Sequence, residues 1–87
     1  MKIDKPAKAG SLESNDILIM LFPAETREIH LESPVKATFG DAILKVINET
    51  LDELGVTGCK INATDKGALD YCIRARVKSA VARSTSI

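Results

Sequence analysis

Residues 10–22, Gly-Ser-Leu-Glu-Ser-Asn-Asp-Ile-Leu-Ile-Met-Leu-Phe, set a small polar cluster directly in front of six consecutive apolar side chains. The second half, Asp16 to Phe22, is stopped by Pro23 and reads as a strand. Its unbroken apolar character implies cover on both faces, by the core on one side and by a neighbour or partner subunit on the other. Ahead of it, Lys8 to Glu13 is a thinner, edge-like strand candidate. Ser14-Asn15 between them suits a two-residue hairpin connection, because asparagine tolerates the positive φ such turns demand. Ser14 would then stand on an exposed tip.

Working outward, Glu28 to Glu32 alternates strictly, which turns Ile29 and Leu31 inward and His30 to water. Ser33-Pro34 reads as an N-cap followed by proline at the first helical position. The helix after it carries Phe39, Ala42, Ile43, Val46, Ile47, Leu51 and Leu54 on one stripe and stops at Gly55. Gly40 inside that helix costs about 1 kcal/mol relative to alanine, which suggests close packing there. Gly58 to Ala63 alternates again, with Cys59, Ile61 and Ala63 on one face. Thr64 or Asp65 caps a second helix, whose stripe runs through Leu69, Cys72, Ile73, Val77, Ala80 and Val81. The order ββ-β-α-β-α predicts an α+β two-layer sandwich: a mostly antiparallel sheet with two helices on one face. One domain over residues 1–87 is expected, with 1–6 and 84–87 frayed.

With 87 residues, 45% apolar and 28% charged, the chain has ordinary globular composition and room for one modest core. Twelve basic and twelve acidic side chains cancel, and no basic cluster is interleaved with aromatics, so nothing points to nucleic acid. No apolar run approaches the roughly 18 residues of a membrane span, and MKIDKPAKAG lacks the apolar stretch of a signal peptide. Cys59 and Cys72 have no metal-ligand spacing and read as free thiols of a cytoplasmic protein. Charge is unevenly placed: Glu49, Asp52 and Glu53 make one segment acidic, while Arg74, Arg76, Lys78 and Arg83 have no carboxylate among them. Helix-dipole complementarity explains this, and a basic helix face docking on an acidic partner is the sharper reading.

Catalytic chemistry is hard to find. His30 is the only histidine and has no evident nucleophile partner. No glycine-rich phosphate loop is present, since Gly-Val-Thr-Gly at 55–58 lacks the required spacing. The carboxylates Glu13 and Asp16 flank the Ser14 turn and read as turn and strand-end solvation. These residues describe a part of a larger machine, with no catalytic and no metal-ligating residue.

KIDKPAKAGSLESNDI at the start, FGDAI at 39–43 and DKGALDYCIRAR at 65–76 occur in an order that resembles the acyl carrier protein, or gamma subunit, of citrate lyase. The likeness runs from Lys2 to about Arg83. The resemblance implies a non-catalytic carrier whose serine, in a Leu-Glu-Ser-Gly-Asp segment, bears 2'-(5''-phosphoribosyl)-3'-dephospho-coenzyme A through a phosphodiester. That segment corresponds to Leu12-Glu13-Ser14-Asn15-Asp16, so Ser14 is the implied attachment residue, with Asn15 where the family has glycine. The resemblance further implies a prosthetic-group transferase and two enzyme subunits as partners. The alpha subunit exchanges acetyl for citrate on the arm, and the beta subunit cleaves the citryl thioester to oxaloacetate. Glu13 and Asp16 would repel the arm's phosphates. Two alternatives stand beside this: the carrier subunit of malonate decarboxylase, and a small interaction domain in which Ser14 is an ordinary turn residue.

Overall fold

The computed structural model describes residues 2–85 and contains four strands and two helices. In chain order they are β1 (Ala7–Ala9), β2 (Ile17–Phe22), β3 (Arg27–Glu32), α1 (Lys36–Glu53), β4 (Cys59–Asp65) and α2 (Asp70–Ser84). The expected α+β sandwich is what forms. The sheet order is β1-β2-β4-β3, with β1–β2 and β2–β4 antiparallel and β3–β4 parallel. The parallel pair follows from α1, because a helical crossover returns the chain to the edge from which β3 started. β4 therefore slots between β2 and β3 in the interior of the sheet.

Alternation decides which face is buried. Ile17, Ile19 and Leu21 of β2 and Cys59, Ile61 and Ala63 of β4 all lie beneath the helices. α1 supplies Ile43, Val46, Ile47 and Leu51 to the same core, and α2 supplies Ile73, Val77, Ala80 and Val81. α2 lies over β1 and β2, α1 over β3, and the helices pack on each other. Each of these larger aliphatic side chains contributes about 1.5–3 kcal/mol of burial before chain entropy is subtracted.

Several expectations need correction. Within the chain the core covers one face of β2; on the other, the face for which a neighbour or partner was expected, Leu18 and Phe22 are half-buried and Met20 is exposed. The stripes also overreach at both helix starts. Phe39 is 55% exposed, Leu69 is 62% exposed, and Ala42 is exposed as well. α1 begins two residues later than the Ser33-Pro34 signal implies, because Ser33 to Lys36 first makes a turn, with the Lys36 amide donating to the Ser33 carbonyl at 3.2 Å. Asp65 stays in β4 and instead accepts from the Gly67 and Ala68 amides, which delays α2 to Asp70. Gly40 is buried, and the tight neighbour an added Cβ would meet is Lys36 Cγ at 3.1 Å, on the flexible side chain one turn earlier in the same helix. Finally, the expected fraying is absent at Ile3 and Ser84. Both are buried, and the Ser84 carbonyl accepts from the Asp4 and Lys5 amides. Residues 1, 86 and 87, which the fraying expectation also covers, lie outside the described residues.

Candidate functional site: the Ser14 loop

β1 is only three residues long, so the connection to β2 is a loop over 10–16 and not a two-residue hairpin. The cause is Gly10. Its φ of +93° turns the chain out of the strand, and a Cβ there would run into the Ile17 carbonyl oxygen. Only glycine accepts both conditions. The turn itself survives inside the longer loop. The Asp16 amide donates to the Glu13 carbonyl at 3.2 Å, closing a turn with Ser14 and Asn15 at its centre. Asn15 takes φ +67°, as expected of the residue that stands where the resembled motif has glycine.

The loop is tied to the segment between β4 and α2. The Asn15 amide donates to the Lys66 carbonyl and the Lys66 amide donates to the Asp16 carbonyl, both at 2.8 Å. These two bonds extend the β2–β4 ladder one step beyond the Ile17–Asp65 pair. Two of the three motifs behind the resemblance, separated by about fifty residues, therefore meet here.

Asp16 is the centre of this arrangement, and the sequence reading of it as a solvated strand end is overturned. Its carboxylate is buried and accepts five hydrogen bonds. Arg76 of α2 donates through Nε to Oδ1 and through Nη2 to Oδ2, both at 2.9 Å, in the bidentate geometry that makes such pairs strong. The Ser11 hydroxyl donates to Oδ2 at 2.7 Å, the Ile17 amide to Oδ1 at 2.7 Å, and the Cys72 thiol to Oδ1 at 3.4 Å. The Arg76 guanidinium, helped by Ser11, Ile17 and Cys72, holds the Asp16 carboxyl far below the usual carboxylate range despite its burial. With its charge answered by Arg76, Asp16 is not free to repel an approaching phosphate; of the expected pair, only exposed Glu13 is.

Ser14 stands in contrast. It is exposed together with Leu12, Glu13 and Asn15, and among the described residues none hydrogen-bonds its hydroxyl. The loop is rigidly founded at Ser11 and Asp16, and its tip is open.

Elsewhere the candidate chemistry is absent or already spent. His30 is exposed and pairs with Glu28 at 2.9 Å. Burial pushes the Cys59 and Cys72 thiols up, so neither is a ready nucleophile, and the Asp16 charge adds to the effect at Cys72. Among the described residues no group of three His, Cys, Asp or Glu could hold a metal, and no helix is long and apolar enough to cross a membrane. A groove of about 580 Å³ lined by Lys2, Ile3, Pro23, Glu25 and Gly58 lies at the end of the sheet away from Ser14. The basic face of α2 is largely consumed inside the molecule. Arg74 reaches Glu53 and Glu49 of α1, Arg76 holds Asp16, and Arg83 donates to the Lys8 carbonyl at 2.8 Å.

The model of the acyl carrier family described as malonate decarboxylase delta subunit (MdcD) matches residues 4–84. Among solved structures, a chain of a Pseudomonas malonate decarboxylase hetero-tetramer in complex with malonate superposes with a TM-score of 0.77 at 19% identity, over 98% of this chain and 93% of that one. A protein from Thermus thermophilus superposes with a TM-score of 0.69 at 17% identity, over 94% of this chain and 16% of that one. The two superpositions show the fold, and the family match shows the lineage. Acyl carrier proteins of this kind hold a covalently bound prosthetic group and are non-catalytic by themselves, acting within multi-subunit complexes. The chain belongs to the malonate decarboxylase delta subunit family of acyl carrier proteins.

Proposed function

We propose that this chain presents an acyl thioester on an arm attached through Ser14, as the carrier subunit of a malonate decarboxylase complex. One observation carries the attachment site: the Ser14 hydroxyl is exposed, without a hydrogen-bond partner among the described residues, at the tip of a loop whose base is anchored on both sides. A phosphodiester to phosphoribosyl-dephospho-coenzyme A needs an unhindered oxygen that a transferase can reach, and this one qualifies. When attached, the group supplies a terminal thiol that carries the acyl chain as a thioester. The carrier's own residues do three things. Ser14 would provide the oxygen of the ester, displacing the leaving group from the phosphorus of the activated arm donor as the hydroxyl gives up its proton to a base of the transferase. Asp16 and Asn15 hold the turn at its base. The folded body keeps the tethered acyl group near its next enzyme, where effective concentration replaces diffusion.

The family description and the malonate decarboxylase fold match support that complex as the destination. Citrate lyase is the second reading, favoured by the Leu12–Asp16, Phe39–Ile43 and Asp65–Arg76 motifs, with the alpha and beta subunits as partners.

Intact-protein mass spectrometry after coexpression with the prosthetic-group transferase tests the site. The wild type should gain the mass of one arm. Ser14→Ala should gain none while keeping its melting temperature, because an exposed hydroxyl without partners contributes little to stability. A wild type that stays unmodified beside an active transferase would sink the carrier site. The loaded protein is then mixed with malonate decarboxylase partner subunits or with citrate lyase alpha and beta subunits. Turnover of malonate supports the first reading, and turnover of citrate alone moves the chain to the second.

A further inference from the structure

Among the described residues no hydrogen bond fixes the exposed Ser14 side chain, so its position is set by the residues on either side. Upstream, Ser11 is held by its hydrogen bond to Asp16 and in turn accepts from the Glu13 amide at 3.2 Å. Downstream, Asn15 and Asp16 are held by the Lys66 backbone. Apart from the Glu13 amide on Ser11, the side-chain hydrogen bonds of the loop among the described residues end on the Asp16 carboxylate, and the only cation among the described residues that pairs with it is Arg76, sixty positions away on α2. The Arg76 fork spans both carboxylate oxygens, which leaves Oδ1 facing Ile17 and Cys72 and Oδ2 facing Ser11. Cys72 and Arg76 lie four residues apart on one face of α2, so the helix presents both donors to the loop together.

We propose that Arg76 is a positioning residue for the loading of Ser14: through Asp16 it clamps the 10–16 loop against α2, so that the arm transferase meets a preformed turn. This rests on the Ser14 reading above. Without the fork, Asp16 would keep its buried site without a cationic partner, and the loop would open to let it reach water. Loading would then require the transferase to select the closed fraction of an open ensemble. Its apparent affinity for the carrier would fall by that fraction, while the bound complex would react as before.

Steady-state loading kinetics, with the transferase and the activated donor of the arm, read this directly. Arg76→Gln should raise the carrier KM about tenfold and leave kcat within about twofold of wild type. Arg76→Lys, which keeps the charge but loses the fork, should fall between the two. Asp16→Asn combined with Arg76→Gln should be no worse than Arg76→Gln alone, as expected for partners in one interaction. Arg74→Gln, on the same helix as Arg76 but breaking only contacts to Glu49 and Glu53 of α1, should load like wild type. Each variant is assayed where circular dichroism shows it folded. If Arg76→Gln does not fold, Arg76→Lys carries the test. A folded Arg76 variant with wild-type KM, a loss confined to kcat, or an equal KM rise in Arg74→Gln would overturn the proposal. Failure of the wild type to load at Ser14 would defeat the site reading. Normal wild-type loading with an indifferent Arg76 defeats only the positioning role.

Discussion

An arginine guards each end of the sheet, and the two do so in opposite ways. At the Ser14 end, Arg76 reaches from a helix to a loop, and the carboxylate is the more buried partner: the Asp16 side chain is 12% exposed against 40% for Arg76. At the far end, Arg27 of β3 reaches α1 and the turn behind it, and here the guanidinium is the buried partner, at 23% against 68% for Asp52. Arg27 also donates to Asn48 Oδ1 at 3.1 Å and to the Val56 carbonyl, while its Nε is buried without a hydrogen-bond partner among the described residues. Removing an ion-pair partner matters most when it leaves the buried charge uncompensated. Loss of Arg76 would take two of the five hydrogen bonds at Asp16 together with its paired charge. Loss of Asp52 would take one of the three at Arg27, the less buried of the two enclosed charges. The Ser14 end is therefore brittle and the far end is redundant.

The largest break in this comparison comes at the base of the Ser14 loop. Gly10→Ala places a Cβ against the Ile17 carbonyl oxygen in a left-handed conformation that alanine resists. Backbone strain of this kind costs about 1–3 kcal/mol before the clash is relieved. For a chain of this size a loss of about 2 kcal/mol lowers the melting midpoint by on the order of 10 °C, which calorimetry would resolve. A Gly10→Ala protein that melts with wild type would mean that the loop has a second closed form and that its base is not brittle.

A smaller effect, and a sharper one, is the acid dependence of stability. Asp16 has its folded pKa held below the ordinary value of 3.8, chiefly by Arg76. Its contribution is present above the unfolded pKa and is lost as pH falls through the acid range toward the folded value. The groups facing it are Arg76, which stays charged, and the Cys72 thiol, which stays neutral. Urea midpoints of the wild type should therefore fall between about pH 5 and pH 2.5. Arg76→Gln should start lower near neutrality and fall less over that window, so that the two curves converge. Parallel curves would show that some other carboxylate sets the acid limb. The exposed His30–Glu28 pair is not a candidate for it, since solvent screens both partners.

This brittleness explains what can and cannot be read from the chain. The six apolar residues of β2, the alternation of β3 and β4 and the central turns of α1 are local patterns, and each element forms where its pattern lies. Asn15 is legible as a left-handed turn residue for the same reason. The partnership of Asp16 with Arg76 is not, because burial of Asp16 is created by a helix sixty residues later and leaves no mark on its neighbours. One signal is available: Arg76 shares a helix face with Cys72 beside an otherwise apolar stripe, which asks for a carboxylate opposite. Phe39 and Leu69 defeat the stripe reading because periodicity assigns a face but not where the helix begins to cover the sheet. The role proposed for Ser14 is legible only through the motif around it, since an exposed serine in a turn has no physical signature of its own.

The smallest expected effect tests the redundant end. Asp52→Asn removes the charge opposite Arg27 but leaves Asn48 and the Val56 carbonyl in place. The lost partner is mostly exposed, so the stability change should be no more than about 0.5 kcal/mol, measured by urea denaturation at neutral pH. Loading of Ser14 should not change, because Asp52 makes no hydrogen bond to the 10–16 loop or to Arg76 among the described residues. If Asp52→Asn destabilised the protein as strongly as Arg76→Gln, the share of hydrogen bonds lost with the charge would not be what separates the two ends. The Ser14 loop would then owe its rigidity to the Lys66 backbone bonds and not to the arginine that holds Asp16.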